Sequence, residues 1–544
     1  MNTSTDDRSG RLAWQLVLGL TIGILIGVIA QRYISQPTGS EELEKFRQVL
    51  QTVDENYVDD VDNHELMESA IAGMLDRLDP HSVYITAEEQ RRVDEDFRGS
   101  FEGIGIEFDV VRDTIIVVAA ISGGPSERLG IISGDRIVKI EGENAVGLAR
   151  EEVPPLLKGE KGTKVSVTIV RPGFEEPLDF TITRDQIPLY TVDAAFMAQD
   201  DIGYIKVNRF ADPTYAEFMK HMQDLSRKGM KRLVLDLRGN PGGYMDRAVR
   251  MADEFIGGRR KLVYTKSSRG SEEHTFYSED GQSWEDMPLI VLVNPGSASA
   301  SEIVAGAIQD LDRGLIVGET TFGKGLVQRQ FSLPDGSAFR LTIARYYTPS
   351  GRLIQRPYTD DLEAYYTLAD RTELEEGANI DHHNDPADTS RPRFRTVAGR
   401  IVIGGGGITP DYIVHPDTLS SESGAWGIIT SNVVWEYVEG YMVREGTRLR
   451  TQYNGAFPRF LRDFAVTEEM FNRFLDLAET KGVTIDRKLI EQDRPLLKSR
   501  IKARIARSIW GDTEFYQVAL QTDKQYNTAL RLFNEAEKIL ALSR

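Results

Sequence analysis

The 544-residue chain contains no cysteine. This absence excludes disulfide bridges, a thiol nucleophile and thiolate metal sites, and it is compatible with an oxidising compartment without requiring one. Basic residues are also in deficit, because 65 lysines and arginines stand against 84 aspartates and glutamates and leave a net charge of −19. Nucleic-acid binding needs a basic face, so nucleic acid is excluded as an expected partner.

Histidine is scarce as well, with seven residues in the chain. The pair His382-His383 has no further histidine or cysteine at ligand spacing, so we predict no metal site. The glycine run 404–407 precedes no basic residue and no phosphate-loop pattern, so we predict no nucleotide site and no cofactor. A hydrophobic fraction of 40% and a charged fraction of 27% are ordinary for folded protein, and the length allows three or four domains.

One long apolar run lies near the N-terminus, from Leu12 to Ala30, interrupted only by Gln15 and Thr21. A helix of this length spans about 28 Å, which is close to the thickness of the hydrocarbon core of a bilayer. We therefore expect a transmembrane anchor at 12–31. The alternative is a signal peptide that is cleaved after Ala30.

The charges that flank this run predict its orientation. Arg8 and Arg11 precede it, which favours a cytoplasmic segment 1–11 with the rest of the chain outside. The body of the protein is therefore predicted to be exported in both alternatives.

Three alternating serines follow a buried apolar pattern, Leu289–Val293, and precede a helical pattern, Glu302–Asp310. One serine at such a junction is expected to cap the helix, whose first N–H groups lack partners. Ser297 suits the cap, and a nucleophile at this junction would have the helix N-terminus to stabilise negative charge near the reacting carbon.

A single lysine, Lys324, lies between two glycines shortly downstream. A serine needs a base to become a nucleophile, and a lysine can serve when burial lowers its pKa toward neutrality. Phe322 and Val327 make its surroundings apolar, whereas a lone lysine in a glycine loop would otherwise be a surface residue. No histidine lies in the serine or the lysine motif.

Short strands with turn signals fill the region from about Ser100 to Arg184. The segment Gly103-Ile104-Gly105-Ile106 begins it, and Ser133–Ile137 lies in its middle. Glycines can free successive backbone N–H groups to bind the terminal carboxylate of a peptide that adds as an extra strand.

Strand and helix patterns alternate beyond residue 187. Ile202–Val207 and Lys231–Leu237 predict strands, with an amphipathic helix at Tyr215–Leu225 between them. This alternation indicates an α/β layer with parallel strands. A glycine-rich turn, Asp236–Gly243, closes the second strand, and Ala338–Tyr347 predicts a further strand.

Taken together, the motifs Gly-Ser-Ala-Ser-Ala-Ser-Glu, Thr-Phe-Gly-Lys-Gly and Val-Gln resemble those of the C-terminal processing peptidases, or tail-specific proteases. These are serine peptidases of the S41 group that carry a PDZ domain. The resemblance covers 41–357 and 397–416. It implies that Ser299 is the nucleophile, Lys324 the base and Gln328 the amide that orients the lysine.

The resemblance also implies two binding elements. The backbone N–H of Gly242 or Gly243 is expected to form an oxyanion hole with that of Ala300. The residues expected to bind the C-terminus of a peptide in the PDZ domain are Gly103, Ile104, Gly105 and Ile106.

The predicted fold is a multidomain α/β (mixed α+β) architecture. Its expected parts are the cytoplasmic segment 1–11, the anchor 12–31, a helical module 41–98, a PDZ domain 99–186, an S41 core 187–416 with an inserted segment 359–396, and a helical extension 417–544. A last core strand is expected near Gly404–Asp411. The extension is expected either to cap the active site or to build a homo-oligomer, and the sequence leaves both open.

The predicted function is an endopeptidase that cuts exported proteins near free, apolar C-termini. The predicted location is the bacterial inner (cytoplasmic) membrane, as a single-pass protein with its catalytic body in the periplasm or another extracytoplasmic space. One alternative is an inactive, membrane-anchored PDZ scaffold. A second is a Ser-His-Asp hydrolase with His81 as its best base, although His81 is expected to be a turn or capping residue.

Overall fold

The computed structural model describes residues 40–358, 365–366 and 391–542, apart from residues 112, 172, 269, 271, 272, 418 and 421. They form two compact units, one that ends at Leu78 and one that begins at Asp79, so the division falls inside the predicted module 41–98. None of the helices in this described part is long and apolar enough to cross a membrane. The predicted anchor at 12–31 lies outside the described residues.

The first unit contains two helices, α1 (Ser40–Asn56) and α2 (Asn63–Leu75). The Asp62 side chain caps α2 by accepting hydrogen bonds from the first turn of its backbone. The apolar spacing of the sequence predicts both helices.

The second unit begins with strand β1 (Val83–Ile85) and helix α3 (Ala87–Arg98). Thr86 and Glu89 form a capping box at the start of α3, and Gly99 in the left-handed conformation ends it. The first turn and the last residue of this helix are thus determined by local sequence.

An antiparallel sheet follows and forms the body of the PDZ region. Strand β3 pairs with β4 alone among the described strands, so its other edge is open for an added strand. The elements of this region are β2 (Ser100–Gly103), β3 (Ile106–Val111), β4 (Thr114–Ala120), α4 (Pro125–Arg128), β5 (Arg136–Ile140), β6 (Glu143–Asn144), α5 (Val153–Leu157), β7 (Lys164–Val170), β8 (Leu178–Thr183) and β9 (Asp185–Pro188).

A six-stranded sheet forms the centre of the catalytic region, in the order β10-β11-β12-β15-β16-β21. All neighbours are parallel except β10 and β11, which confirms the predicted α/β layer. Its strands are β10 (Val192–Met197), β11 (Ile202–Val207), β12 (Arg232–Asp236), β15 (Leu289–Val293), β16 (Leu315–Gly318) and β21 (Tyr412–Ile413). The last strand begins at Tyr412, so the strand that was predicted near Gly404–Asp411 lies directly after those residues.

Helices cover both faces of this sheet, because side chains alternate between the faces along each strand. One face packs against α6 (Thr214–Arg227), α7 (Met245–Asp253) and α8 (Ala300–Asp310). The other face packs against the two last helices of the chain, α15 (Lys524–Arg531) and α16 (Phe533–Leu542). The end of the predicted extension is therefore a layer of the catalytic fold.

The rest of the extension forms a helical bundle with its own apolar core. Its helices are α9 (Ala425–Thr430), α10 (Val433–Tyr453), α11 (Phe457–Asp463), α12 (Glu468–Thr480), α13 (Ile490–Ile509) and α14 (Asp512–Ala519).

A second sheet lies beside the lysine motif and is built around β18, which pairs with β1, β13 and β17. Its strands after β1 are β13 (Lys261–Lys266), β14 (Thr275–Tyr277), β17 (Leu326–Ser332) and β18 (Ala338–Tyr347). A separate pair consists of β19 (Arg393–Arg395) and β20 (Ile401–Ile403).

Candidate active site

A cavity of about 930 Å³ opens where α3, the start of α8 and strands β17 and β18 meet. Its wall includes every residue that the sequence singles out for catalysis or for the oxyanion hole. These residues are Ser299, Lys324, Gln328, Gly242, Gly243 and Ala300.

The serine loop, Asn294–Ser299, joins the buried strand β15 to helix α8. Ser299 ends this loop with φ 53° and ψ −110°, a conformation that non-glycine residues rarely adopt. Such a backbone costs on the order of 1–3 kcal/mol and persists only where its surroundings enforce it. The sharp turn leaves Ser299 partly exposed to the cavity, while Ser297 and Ser301 on either side are buried.

The two buried serines hold the loop together. The Ser297 hydroxyl donates to the Leu237 carbonyl (2.9 Å) and accepts from Asn294 N–H (3.0 Å). The Ser301 hydroxyl donates to the Asn240 carbonyl (2.9 Å). The predicted cap was wrong, because Ser299 itself occupies the position before the helix and Ser297 binds a neighbouring strand end instead.

The lysine loop, Glu319–Gly325, joins β16 to β17. The Lys324 ammonium donates to Gln328 Oε1 (2.7 Å), and Gln328 Nε2 donates to the backbone carbonyl of His81. The second hydrogen bond determines which end of the amide faces the lysine. No hydrogen bond joins the Ser299 hydroxyl to Lys324 Nζ within the described structure.

The pKa of Lys324 is lowered from its usual 10.5 to about 8. Burial is the main cause and the nearby Arg340 guanidinium adds to it, whereas the Glu302 and Asp79 carboxylates oppose the shift. The lysine can therefore be neutral at mildly alkaline pH, as a general base must be.

Glu302 connects the two loops, and the sequence analysis did not find it. One oxygen of this fully buried carboxylate accepts from the backbone N–H groups of Ser299 (2.8 Å) and Lys324 (2.9 Å). The other accepts from Gly323 N–H (2.7 Å) and the Thr321 hydroxyl (2.5 Å). Burial raises the pKa of Glu302 above its usual value, although the four donors oppose this shift. Its place three residues after Ser299, as in a capping box, is the signal that would have found it.

Tyr346 connects the same loops from β18. Its buried hydroxyl lies 3.0 Å from the Ser299 carbonyl oxygen and also contacts the Lys324 carbonyl oxygen. Burial raises the pKa of Tyr346 well above its usual value, so the phenol remains a donor. No local motif in the sequence indicates this role.

The structure distinguishes the two glycines proposed for the oxyanion hole. The Gly242 N–H donates to the Asn240 side chain (2.9 Å). The N–H groups of Gly243 and Ala300 have no acceptor among the described residues. A Cβ atom at Gly242 would lie 2.8 Å from Ser299 Cβ, so only glycine permits this close approach to the serine.

A buried ion cluster holds the glycine turn against the end of β12. Arg238 pairs with Asp236 (2.6 Å) and with Asp523 from the C-terminal extension (2.8 Å). The two carboxylates lie near the guanidinium and raise its pKa well above its usual value. The extension thus takes part in positioning the turn that carries Gly243, which the sequence did not predict.

His81 lies in the predicted turn, with its N–H donating to Asp79 (2.8 Å). Its ring is hydrogen-bonded to the Tyr365 hydroxyl (2.8 Å) and packs edge-on against Phe322. Burial, assisted by the Lys324 charge, lowers the pKa of His81 to about 4. The ring does not contact Ser299, which argues against the Ser-His-Asp alternative.

In the PDZ region, Gly105 has φ +76°, and its carbonyl accepts from Ile121 N–H (2.9 Å). The N–H groups of Ile104 and Gly105 have no acceptor among the described residues. Ile106 starts the open-edged strand β3, and Gly103 ends β2. The geometry suits a carboxylate beside the loop with a peptide strand along β3.

No group of three or more histidine, cysteine, aspartate or glutamate side chains within the described ranges is arranged to hold a metal ion. His382 and His383 lie outside those ranges.

Family comparisons agree with this architecture. Residues 201–364 match peptidase family S41, and residues 116–171 match the PDZ domain. Residues 28–89 match the N-terminal domain of the activating protease CtpB, and residues 427–511 match a family of unknown function.

Relatives are similar over most of their length. A carboxy-terminal-processing protease of Bartonella bacilliformis is 37% identical over 345 residues, which are 62% of this chain and 79% of the relative. The carboxy-terminal processing protease CtpA of Bacillus subtilis is 36% identical over 323 residues, or 59% and 68% of the two chains.

Among solved structures, the photosystem II D1 C-terminal processing protease is 32% identical. The match covers 57% of this chain and 89% of that protease, with a TM-score of 0.32. The sequence relatives, together with the S41 and PDZ matches, show that the chain belongs to the C-terminal processing proteases of peptidase family S41 and is a serine peptidase.

Proposed function

We propose that this chain is a Ser–Lys endopeptidase that cuts exported proteins near their C-termini. The observation that carries the proposal is Lys324, whose pKa is lowered to about 8 in the same cavity as the strained Ser299. A serine with no histidine beside it needs such a base.

The reaction begins when the neutral amine of Lys324 turns from Gln328 toward the Ser299 hydroxyl and accepts its proton. The serine oxygen attacks the scissile carbonyl, and the N–H groups of Gly243 and Ala300 stabilise the oxyanion. Lys324 then protonates the leaving amine, which departs as the C-terminal fragment. A water molecule, deprotonated by the same lysine, hydrolyses the acyl-enzyme.

The remaining residues of the site hold these groups in place. Gln328 returns the lysine side chain to one rotamer between cycles, because its own amide is fixed by the His81 carbonyl. Glu302 and Tyr346 hold the two loops together, so the reacting atoms need only side-chain rotations to meet.

The PDZ domain is proposed to recruit the substrate. The free N–H groups of Ile104 and Gly105 would bind a terminal carboxylate, and apolar side chains before it would pack beside the open edge of β3. The adjacent polypeptide would then enter the catalytic cavity.

The first experiment measures cleavage of an unfolded protein with an apolar C-terminus by the full chain and by Ser299→Ala and Lys324→Ala. Matched controls are Ser226→Ala and Lys220→Ala, which change the same residue types on the exposed face of α6. We expect both active-site variants to lose at least about a thousandfold in rate, and both controls to cleave normally.

The outcomes separate the alternatives. A Lys324→Ala enzyme that cuts at full rate beside a silent Ser299→Ala would show that the base is misassigned. If the parent is silent as well, with every substrate and in the presence of membranes, the inactive scaffold becomes the better interpretation.

We also propose the domain organisation 41–98, 99–186, 187–416 and 417–544, and a membrane anchor at 12–31 with residues 1–11 in the cytoplasm. The apolar run and the two preceding arginines support the anchor. Alkaline extraction of membranes tests it: an anchored chain stays in the pellet, and a cleaved chain appears in the soluble fraction, shortened at its N-terminus.

A further inference from the structure

Arg340 lines the active-site cavity but has no part in the mechanism above. It lies on β18, in register with Gln330 of β17 on one side and Val83 of β1 on the other. Its side chain is half-buried, and it is close enough to Lys324 to be the main charge that disfavours the protonated amine.

The guanidinium of Arg340 makes no hydrogen bond and no ion pair with any described residue. Its pKa is lowered by burial alone, because no carboxylate offsets the loss of water. A half-buried cation without a partner is costly unless a ligand supplies the opposite charge.

Three other buried or half-buried arginines of the catalytic region differ in this respect. Arg238 pairs with Asp236 and Asp523, Arg352 pairs with Asp310, and Arg400 pairs with Asp312 and Asp411. Their role is structural, since each joins elements of the fold.

The other charged side chains that line the cavity already have ion-pair or hydrogen-bond partners. Arg209 pairs with Asp96 (2.7 Å), and Asp94 accepts from Gln90 (2.6 Å), with both carboxylates on α3. Glu302 is saturated by four donors. Arg340 is thus an unsatisfied bidentate donor that faces the space where the polypeptide must lie.

We propose that Arg340 binds a carboxylate of the polypeptide held in the catalytic cavity, and so selects substrates with an acidic group near the scissile bond. The planar fork of a guanidinium fits a carboxylate in a bidentate manner. The inference rests on the proposed peptidase function. The carboxylate has two possible sources, an aspartate or glutamate side chain, or the α-carboxylate at the end of a short C-terminal segment.

The first arm tests the side-chain source. Peptides with an amidated C-terminus carry glutamate or glutamine at one position at a time around the scissile bond. We expect kcat/KM to favour glutamate by about tenfold or more at one position, since hydrogen bonds between charged groups are the strong ones. Arg340→Gln should bring this ratio to about one, and Arg340→Lys should retain part of it.

The second arm tests the α-carboxylate source with free-acid and amidated forms of one short peptide. The PDZ domain contributes equally in the parent and in Arg340→Gln, so the acid-to-amide ratio of the two enzymes isolates Arg340. Using ratios also cancels any change in rate that the lost charge causes through Lys324. Arg209→Gln is the matched control, because that guanidinium lines the same cavity but is already paired.

Binding to the Ser299→Ala chain separates this proposal from the proposed function. Fluorescence anisotropy of the same peptides with Ser299→Ala and with Ser299→Ala/Arg340→Gln measures the preference without cleavage. If Arg340→Gln fails to fold, Arg340→Met keeps the aliphatic stem and serves in its place. Arg340-dependent preference for the acid in either arm supports the proposal. Acid preferences that are the same with and without Arg340, in both arms and in binding, overturn it.

Discussion

The serine loop and the lysine loop meet at one cavity but are built in opposite ways. The serine loop fixes its backbone, with Ser299 in a strained conformation, and leaves the serine hydroxyl without a protein partner in the described structure. In the lysine loop, Gln328 holds the Lys324 side chain by a hydrogen bond, and the backbone has a glycine on each side of Lys324.

This difference suggests a division of labour between the two residues. The nucleophile must be in one place for attack, and a strained turn between a buried strand and a helix achieves this without using the hydroxyl. The base must move between two partners, so a hydrogen bond to an amide is a suitable resting position. Glu302 and Tyr346 tie the two loops to each other, mainly through backbone groups of Ser299 and Lys324.

Among the residues that position the two loops, the largest effect should come from removing the shared carboxylate. In Glu302→Gln, the amide NH₂ must face at least one of the backbone N–H donors, so at least one hydrogen bond is lost and replaced by a donor–donor contact. We expect kcat/KM to fall by about a hundredfold or more, and the free energy of unfolding by about 2–4 kcal/mol. Peptide cleavage and urea denaturation measure the two quantities.

Glu285→Gln is the control for this prediction. Its carboxylate also accepts two backbone N–H groups, those of Gly281 and Gln282, outside the active site. Both N–H groups donate to one oxygen, which an amide oxygen can replace, so the control should lose little stability and no activity per folded molecule. If Glu302→Gln behaves in the same way, the coupling of the two loops through Glu302 is disproved.

The next largest effect concerns pH. Lys324 acts as a neutral base, so kcat/KM should rise about tenfold per pH unit below its pKa of about 8 and level off above it. Arg340→Gln removes a positive charge beside the amine, which raises the pKa of Lys324 and moves the rising limb to higher pH. A rate profile from pH 6 to 10 measures both, and a limb centred near pH 6.5 would point to a histidine instead.

Sequence patterns predicted the parts of the site that depend on local order. Ser299, Lys324 and Gln328 stand in recognisable motifs, and strand and helix periodicity predicted the layer that carries them. Tyr346, Arg340 and Asp523 were missed because they reach the site through pairing of β18 or through the packing of the distant C-terminal helices. Such contacts over long sequence separations leave no period or spacing in one chain.

A smaller effect is expected at Gln328. Gln328→Leu preserves the shape of the side chain but removes the resting partner of Lys324, so kcat/KM should fall about tenfold. Gln328→Glu places a carboxylate about 2.7 Å from the amine, which should raise the pKa of Lys324 and shift the rising limb to higher pH. A limb that stays in place in Gln328→Glu would mean that another group controls the rate.

The smallest effect on activity should come from a serine two residues from the nucleophile. Ser297→Ala loses hydrogen bonds to Leu237 and Asn294, so the free energy of unfolding should fall by about 1–3 kcal/mol, while activity per folded molecule stays within about threefold. Ser299→Ala should instead lose activity and keep its stability. The Ser299 hydroxyl contacts solvent in the cavity, and an exposed hydroxyl contributes less than about 0.5 kcal/mol to the free energy of unfolding. Thermal unfolding measures the stability of both variants, and peptide cleavage per folded molecule measures their activity. Equal losses of stability in the two would show that the serine loop does not separate its structural hydroxyls from its reactive one.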